Sequence, residues 1–170
     1  MISEKQRDTL LKAYSLLCEV TPRRFDCGTL CGSACCKDLS KGLSPSGMAL
    51  LPHEKELLSE SGFEFGINDD GTDILICNSS CSRELRPFAC RIFPYYVKTD
   101  GKNISIGKDP RAAGICPLLL DRRHRRASVY FLRNAKRAAR LLSDEPDFCD
   151  DLVKTSDFIE SLYELSALSS

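Results

Sequence analysis

Net charge is missing from this chain: its 24 lysines and arginines are balanced by 24 aspartates and glutamates. No global attraction to nucleic acid or anionic lipid follows from such a balance. Long apolar runs are absent too, so no stretch reaches the length needed to cross a bilayer. The first residues, Met1 to Asp8, lack the basic-then-apolar layout of an export signal. A cytoplasmic location is therefore the expectation. There is no phosphate-binding loop and no dinucleotide glycine fingerprint. Histidine occurs only at positions 53 and 124, which leaves little scope for imidazole-rich metal sites.

What the chain has in excess is cysteine, ten in 170 residues. Disulfides would be the reading for a secreted scaffold, and the adjacent pair Cys35-Cys36 occurs in such proteins. Without an export signal, and with ordinary amphipathic helices predicted at both ends, metal binding is the better explanation, because thiols stay reduced in the cytosol.

The pattern predicts one domain over residues 1–170, with a cysteine-cluster region at 25–118 and a helical extension at 122–168. Residues 3–19 read as a helix, with Leu10, Leu11, Tyr14, Leu17 and Cys18 on one face. Pro22 ends it by pushing Thr21 out of helical geometry. The glycine- and cysteine-rich segment 25–47 holds too few large apolar residues to fold unaided. A short helix is predicted at 52–61, with Pro52 in its first turn. Two hairpins follow: 63–67 with 74–76 around Asp70-Gly71, and 95–97 with 104–106 around Asp100-Gly101. Arg83 to Arg91 reads as a turn or short helix interrupted at Pro87. The last third is helical. Ala127, Phe131, Ala135, Ala138 and Leu142 form a stripe over 123–142, and Phe148, Leu152, Thr155, Ile159 and Leu162 form another over 146–167. The short connection between them implies an antiparallel pair. The fold class is thus α+β, with an irregular metal-stabilised centre and short hairpins between one N-terminal helix and a C-terminal helical pair.

Eight cysteines carry the chemistry. Cys27, Cys31, Cys35 and Cys36 fall within ten residues; Cys77 and Cys81 are four apart; Cys90 and Cys116 complete the set. Zinc takes four thiolates in a tetrahedron, often from pairs with two to four residues between them. Iron–sulfur clusters take four as well. Eight ligands divide into two such sites or one polynuclear cluster. Neighbouring side chains point in different directions, so Cys35 and Cys36 serve different metals, or one of them only packs. Cys18 and Cys149 lie in helical segments without partners at ligand spacing and read as small core hydrophobes. Two zinc ions with eight thiolates would sum to minus four, and such a site needs cations nearby. Arg83, Arg86 and Arg91 bracket Cys81 and Cys90, while Arg23, Arg24, Lys37 and Arg111 flank other ligands. These cations compensate the thiolates or hold an anionic substrate.

The run ending in Cys35-Cys36 resembles the CxxCxxCC family of zinc- or iron-chelating cysteine-cluster proteins. So does Cys81 followed by Arg86-Pro87-Phe88-Ala89-Cys90-Arg91-Ile92-Phe93-Pro94, which is similar to the family's RP..CR.FP segment. Cys116-Pro117 fits the family's last cysteine, and Leu51-Pro52-His53-Glu54 resembles its leucine- and glutamate-containing segment. Here Cys27, Cys31 and Cys35 are separated by three residues where the family name has two. The resemblance covers roughly residues 25–118 and implies metal chelation. Flagellin lysine N-methylases are among the members, but this chain has no separate module for S-adenosylmethionine.

The reading is therefore a metal-binding protein using Cys27, Cys31, Cys35, Cys36, Cys77, Cys81, Cys90 and Cys116, with two zinc ions or an iron–sulfur cluster as cofactor. Its partners are metal ions, with a protein partner or an anionic small molecule also compatible. An iron–sulfur redox or group-transfer enzyme is the alternative. A third reading takes the basic stretch Arg122 to Arg140 as a nucleic-acid contact. Zero net charge and the acidic helix beyond it favour a solvated face instead. His53 could replace one thiolate, but its place at a helix start favours exposure, and His124 sits among arginines with no ligand partner nearby.

Overall fold

A computed structural model describes residues 1–23, 32, 34–36, 47–76, 82–114, 116, 119 and 127–168, with the side chains of Cys36 and of 166–168 set aside. Among these residues the chain is α+β, with five α-helices and two small antiparallel sheets. No helix among them is long and apolar enough to cross a membrane.

Helix α1 runs Glu4–Cys18 and starts in a reciprocal cap. Gln6 N–H donates to Ser3 Oγ (3.2 Å), and Ser3 N–H donates to Gln6 Oε1 (3.0 Å), so each satisfies a donor the helix would otherwise leave open. Its buried face is Leu10, Ala13, Tyr14 and Leu17. Leu11, expected on that face, points outward, and Ala13 takes its place.

The middle of the chain builds both sheets. Strands β1 (Met48–Ala49), β2 (Glu64–Ile67) and β3 (Asp73–Ile76) form one sheet in the order β1-β3-β2. Leu50, Leu58 and Leu75 pack beneath it with Phe63 and Phe65. The turn between β2 and β3 places Gly71 at φ +85°, a conformation that side chains with a Cβ rarely adopt. Helix α2 (Glu54–Leu57) lies between β1 and β2 and starts two residues later than proline placement suggested. Strands β4 (Tyr95–Thr99) and β5 (Ile104–Lys108) form the second hairpin, from Tyr95 opposite Lys108 to Thr99 opposite Ile104. Its turn is tied by Asp100, which accepts from Lys102 N–H (2.9 Å) and Asn103 N–H (2.6 Å). Those donors hold the Asp100 carboxyl down at about 2. Between the sheets, a single 3-10 turn, Arg83–Leu85, leads through Pro87 into helix α3, Phe88–Ile92.

Helix α4 covers Val129–Ser143 and α5 covers Pro146–Leu168. The predicted start near 123 is corrected at its described end: Ala127 is not helical, and Ser128 stands at the N-cap. Residues 121–126 lie outside the described set. Phe131, Ala135, Ala138 and Leu142 are fully buried, as the stripe required. The main partner of α4 is α1, with α5 a lesser one. Ala13 on α1 and Ala135, Ala138 and Ala139 on α4 are all fully buried, and such small side chains permit close helix approach. Helix α5 buries Phe148, Leu152 and Ile159, packs on β4, and also touches α4. One hydrophobic cluster joins α1, α3, α4, α5 and β4.

Asp151 on α5 carries a testable cost. Partial burial lifts its carboxyl from an ordinary 3.8 to about 6; Asp70 adds to the rise and Lys154 opposes it. Between those two values the folded chain holds the proton more tightly than the unfolded one. Its contribution is therefore most favourable below pH 4 and is lost as pH rises through 6. Asp151→Asn should stabilise the protein by about 1 kcal/mol at pH 7, a value discounted for partial exposure, and by nothing measurable at pH 4. Urea unfolding at both pH values checks this, and equal effects at the two would contradict it.

Candidate metal centre

Of the eight predicted ligands, Cys27, Cys31, Cys77 and Cys81 lie outside the described residues, and Cys36 is placed by its backbone alone, in the 3-10 turn Ala34–Cys36. Cys35 is half-buried in that turn. Cys90 is half-buried on α3, and Cys116 is buried. Among the described residues no three His, Cys, Asp or Glu side chains gather as a metal-binding group.

Cys90 and Cys116 are drawn to one region by Phe93. Cys116 packs with Ala112, against Phe93 and Leu119. Cys90 and Phe93 in turn line a cavity of about 20 Å³ with Leu17, Val20, Pro22 and three arginines, Arg83, Arg86 and Arg91. Local folding explains the placement. Pro87 closes the preceding extended turn, and α3 is only five residues long, so Cys90 and Arg91 are delivered to adjacent faces of one short helix. Arg91 locks that geometry: its Nε donates to Arg86 O (2.6 Å) and its Nη2 to Glu84 O (2.7 Å). The guanidinium also lies 4.2 Å from the Tyr14 ring centre, a cation–π distance, and beside Cys18.

Behind Arg91 is a buried carboxylate that the sequence did not advertise. Glu54 is fully buried and accepts from Leu51 N–H (2.8 Å), Phe88 N–H (2.7 Å) and the Tyr14 hydroxyl. Burial lifts its carboxyl above the usual range, against those three donors and the Arg91 charge. Burial likewise pushes the Tyr14 phenol far up, helped by Glu54, while lowering Arg91. The network ties α1, the start of α2 and α3 together directly behind Cys90. The one sequence signal for it was Glu54 in the segment that resembles the family's glutamate-containing stretch.

The predicted counter-cations sort differently from expectation. Arg111 is taken: its guanidinium makes a two-pronged bond to buried Asp109 (Nε to Oδ1 2.9 Å, Nη2 to Oδ2 2.7 Å). Arg24 and Lys37 are outside the described residues. Arg91 Nη1, and Arg23 Nε and Nη2, are buried without a hydrogen-bond partner among the described residues. Arg23 acts electrostatically on Tyr95, as does Cys116. Of the two arginines, Arg91 lines a cavity with Cys90. A donor set of this kind fits an anionic thiolate centre, since buried N–H groups without acceptors are costly.

The other candidates are placed plainly. His53 is half-buried, at φ +66°, with Nδ1 3.0 Å from Glu56 Oε1. His124 is outside the described residues. Cys18 and Cys149 are half-buried helical thiols, less enclosed than a core cysteine. On α4, Arg133, Arg137 and Arg140 are exposed and Lys136 is half-buried. The acidic helix does not neutralise them through ion pairs among the described residues. Glu145 pairs with Lys5 (2.5 Å) and Glu160 with Lys98 instead. No family model, no curated protein and no solved structure matches the chain.

Proposed function

We propose that this protein chelates zinc or iron through Cys27, Cys31, Cys35, Cys36, Cys77, Cys81, Cys90 and Cys116. The observation that carries the reading is the buried guanidinium of Arg91, whose Nη1 has no hydrogen-bond partner among the described residues and which lines a small cavity with Cys90. Buried cations of this kind call for buried negative charge; Glu54 acts on the Arg91 charge but accepts a hydrogen bond from neither Arg91 Nη1 nor Arg23. Thiolates holding a metal would supply it. The bound metal contributes either a closed structural site, if zinc, or one-electron chemistry, if iron–sulfur.

The alternative, that the arginines hold an anionic substrate, meets a size limit. Cavities for small-molecule ligands run to about 300–1,000 Å³. The arginine-lined space is about 20 Å³, room for one water-sized atom. That volume favours charge compensation over substrate binding.

Substitution tests the ligand set. Cys31→Ser and Cys90→Ser should each lower bound metal per chain, while Cys18→Ser should leave it at the parent value. Elemental analysis of the three purified variants decides this. Full metal in Cys90→Ser would remove Cys90 from the set.

A further inference from the structure

Away from the cysteines, helices α1 and α4 enclose a groove of about 380 Å³ between them. Sites for small organic ligands run to about 300–1,000 Å³, so this space is of the right order where the cavity beside Cys90 is not. Its origin is the alanine seam. Ala13 on α1 and Ala135, Ala138 and Ala139 on α4 bring the two helices close, and the long side chains beside the seam converge. Lys12 reaches the groove from α1, and Arg137 and Arg140 reach it from α4.

Those three cations face one carboxylate, Asp144 at the C-cap of α4. Among the described residues none of the four makes an ion pair. Elsewhere this fold does supply partners: Lys5 has Glu145, Lys55 has Asp73 and Arg111 has Asp109. From Val129 to Ser143, α4 carries four cations and no acidic residue. Arg140, in the last turn, suits the negative end of the helix dipole. Arg137 stands a turn earlier and Lys12 belongs to another helix, so the dipole does not account for them.

The arrangement has a direction. Arg137, Arg140 and Asp144 follow one another at steps of three and four, down one face of α4. Two planar guanidinium forks side by side match the oxygens of a phosphate. Leu16 and Leu141, both half-buried, give the groove an apolar lining. Ser15 Oγ donates to Lys12 O (2.8 Å) and keeps lone pairs to accept from a ligand. Asp144 also accepts. A uniformly charged strand would meet that carboxylate unfavourably, whereas a molecule with phosphate at one end and hydroxyls at the other would be matched by it.

We propose that the α1–α4 groove binds a small organic phosphate with a hydroxylated body. Arg137, Arg140 and Lys12 hold the phosphate; Ser15 and Asp144 accept from the hydroxyls. This site is separate from the cysteines and does not rest on the chelation reading.

Calorimetric titration of the full-length protein at low ionic strength tests it, with ribose 5-phosphate and inorganic phosphate as probes. Ribose 5-phosphate should bind once per chain and more tightly than inorganic phosphate. Arg137→Gln and Arg140→Gln should each weaken it about 10–100-fold, the effect of losing a hydrogen bond to a charged group. Asp144→Asn should narrow the gap between the two probes. Arg133→Gln removes an exposed cation of the same helix that does not line the groove, and should stay within twofold of the parent. All four substituted side chains are exposed, so folding is not at stake. Absence of saturable binding, or equal weakening by Arg133→Gln and Arg137→Gln, would overturn the proposal. Inorganic phosphate binding as tightly as the sugar phosphate would overturn the assignment of an organic ligand. A single-stranded oligonucleotide that displaces ribose 5-phosphate and itself depends on Arg133 would make α4 a nucleic-acid contact, and would overturn it too.

Discussion

Glu54→Ala should destabilise the protein by about 3–5 kcal/mol, as expected when one side of a buried charged network is removed. The carboxylate is fully buried and is the shared acceptor for Leu51 N–H, Phe88 N–H and the Tyr14 hydroxyl. Alanine leaves all three donors unsatisfied and removes a negative charge acting on Arg91. A chain of this size loses about 2–4 °C of melting temperature per kcal/mol, so the drop should be about 6–20 °C. Glu54→Gln should recover only part of it. Its oxygen can serve Phe88 and Tyr14, but its amide N–H₂ would then face the Leu51 N–H, donor against donor. Tyr14→Phe removes one hydrogen bond from the carboxylate and should cost the least, about 1–3 kcal/mol. Thermal melting of the three variants checks the order. Glu54→Ala within about 1 kcal/mol of the parent would mean that the network is not a keystone.

Stripping the metal is the second large effect. Structural zinc is worth about 10–16 kcal/mol of apparent binding energy at neutral pH. The cluster joining α1, α3, α4, α5 and β4 does not depend on the cysteines for its apolar contacts. Part of the fold should therefore outlast chelation. A loss near 5 kcal/mol, or about 10–20 °C in melting temperature, is the expected result under the chelation proposal. Helical circular dichroism should largely remain at 25 °C. The comparison is a melt before and after an anaerobic chelator and desalting step. An unchanged melting temperature after verified metal loss would make the metal a cargo and not a support.

How far the residues alone disclosed this arrangement depends on how local each cause is. Phe131, Ala135, Ala138 and Leu142 recur at helical spacing, and all four are fully buried on α4. The Asp70-Gly71 and Asp100-Gly101 turns were visible for the same reason, because left-handed glycines at φ +85° and +86° leave a sequence signature. Strand β1, at two residues, is too short to have any period. The choice of α1 over α5 as main partner of α4 is a long-range packing outcome, written in the matched alanines only once both helices are in place. Glu54 was hidden because a charged residue at a helix start reads as exposed unless its distant donors, Tyr14 and Phe88, are known. The cysteine spacing proposed ligands, but spacing cannot say which arginines remain available. Asp109 engages Arg111 in a two-pronged bond, while Arg23 and Arg91 retain unpartnered nitrogens among the described residues.

Metal analysis of the anaerobically purified protein, paired with its visible absorption spectrum, tests the central claim most directly. The account predicts stoichiometric metal. About two zinc ions in a colourless protein would match two four-thiolate sites. A brown protein with iron and acid-labile sulfide would match a cluster and move redox or group-transfer chemistry to the front. A colourless protein with less than about a tenth of a metal ion per chain, and with its eight central thiols titrating freely, would contradict the account.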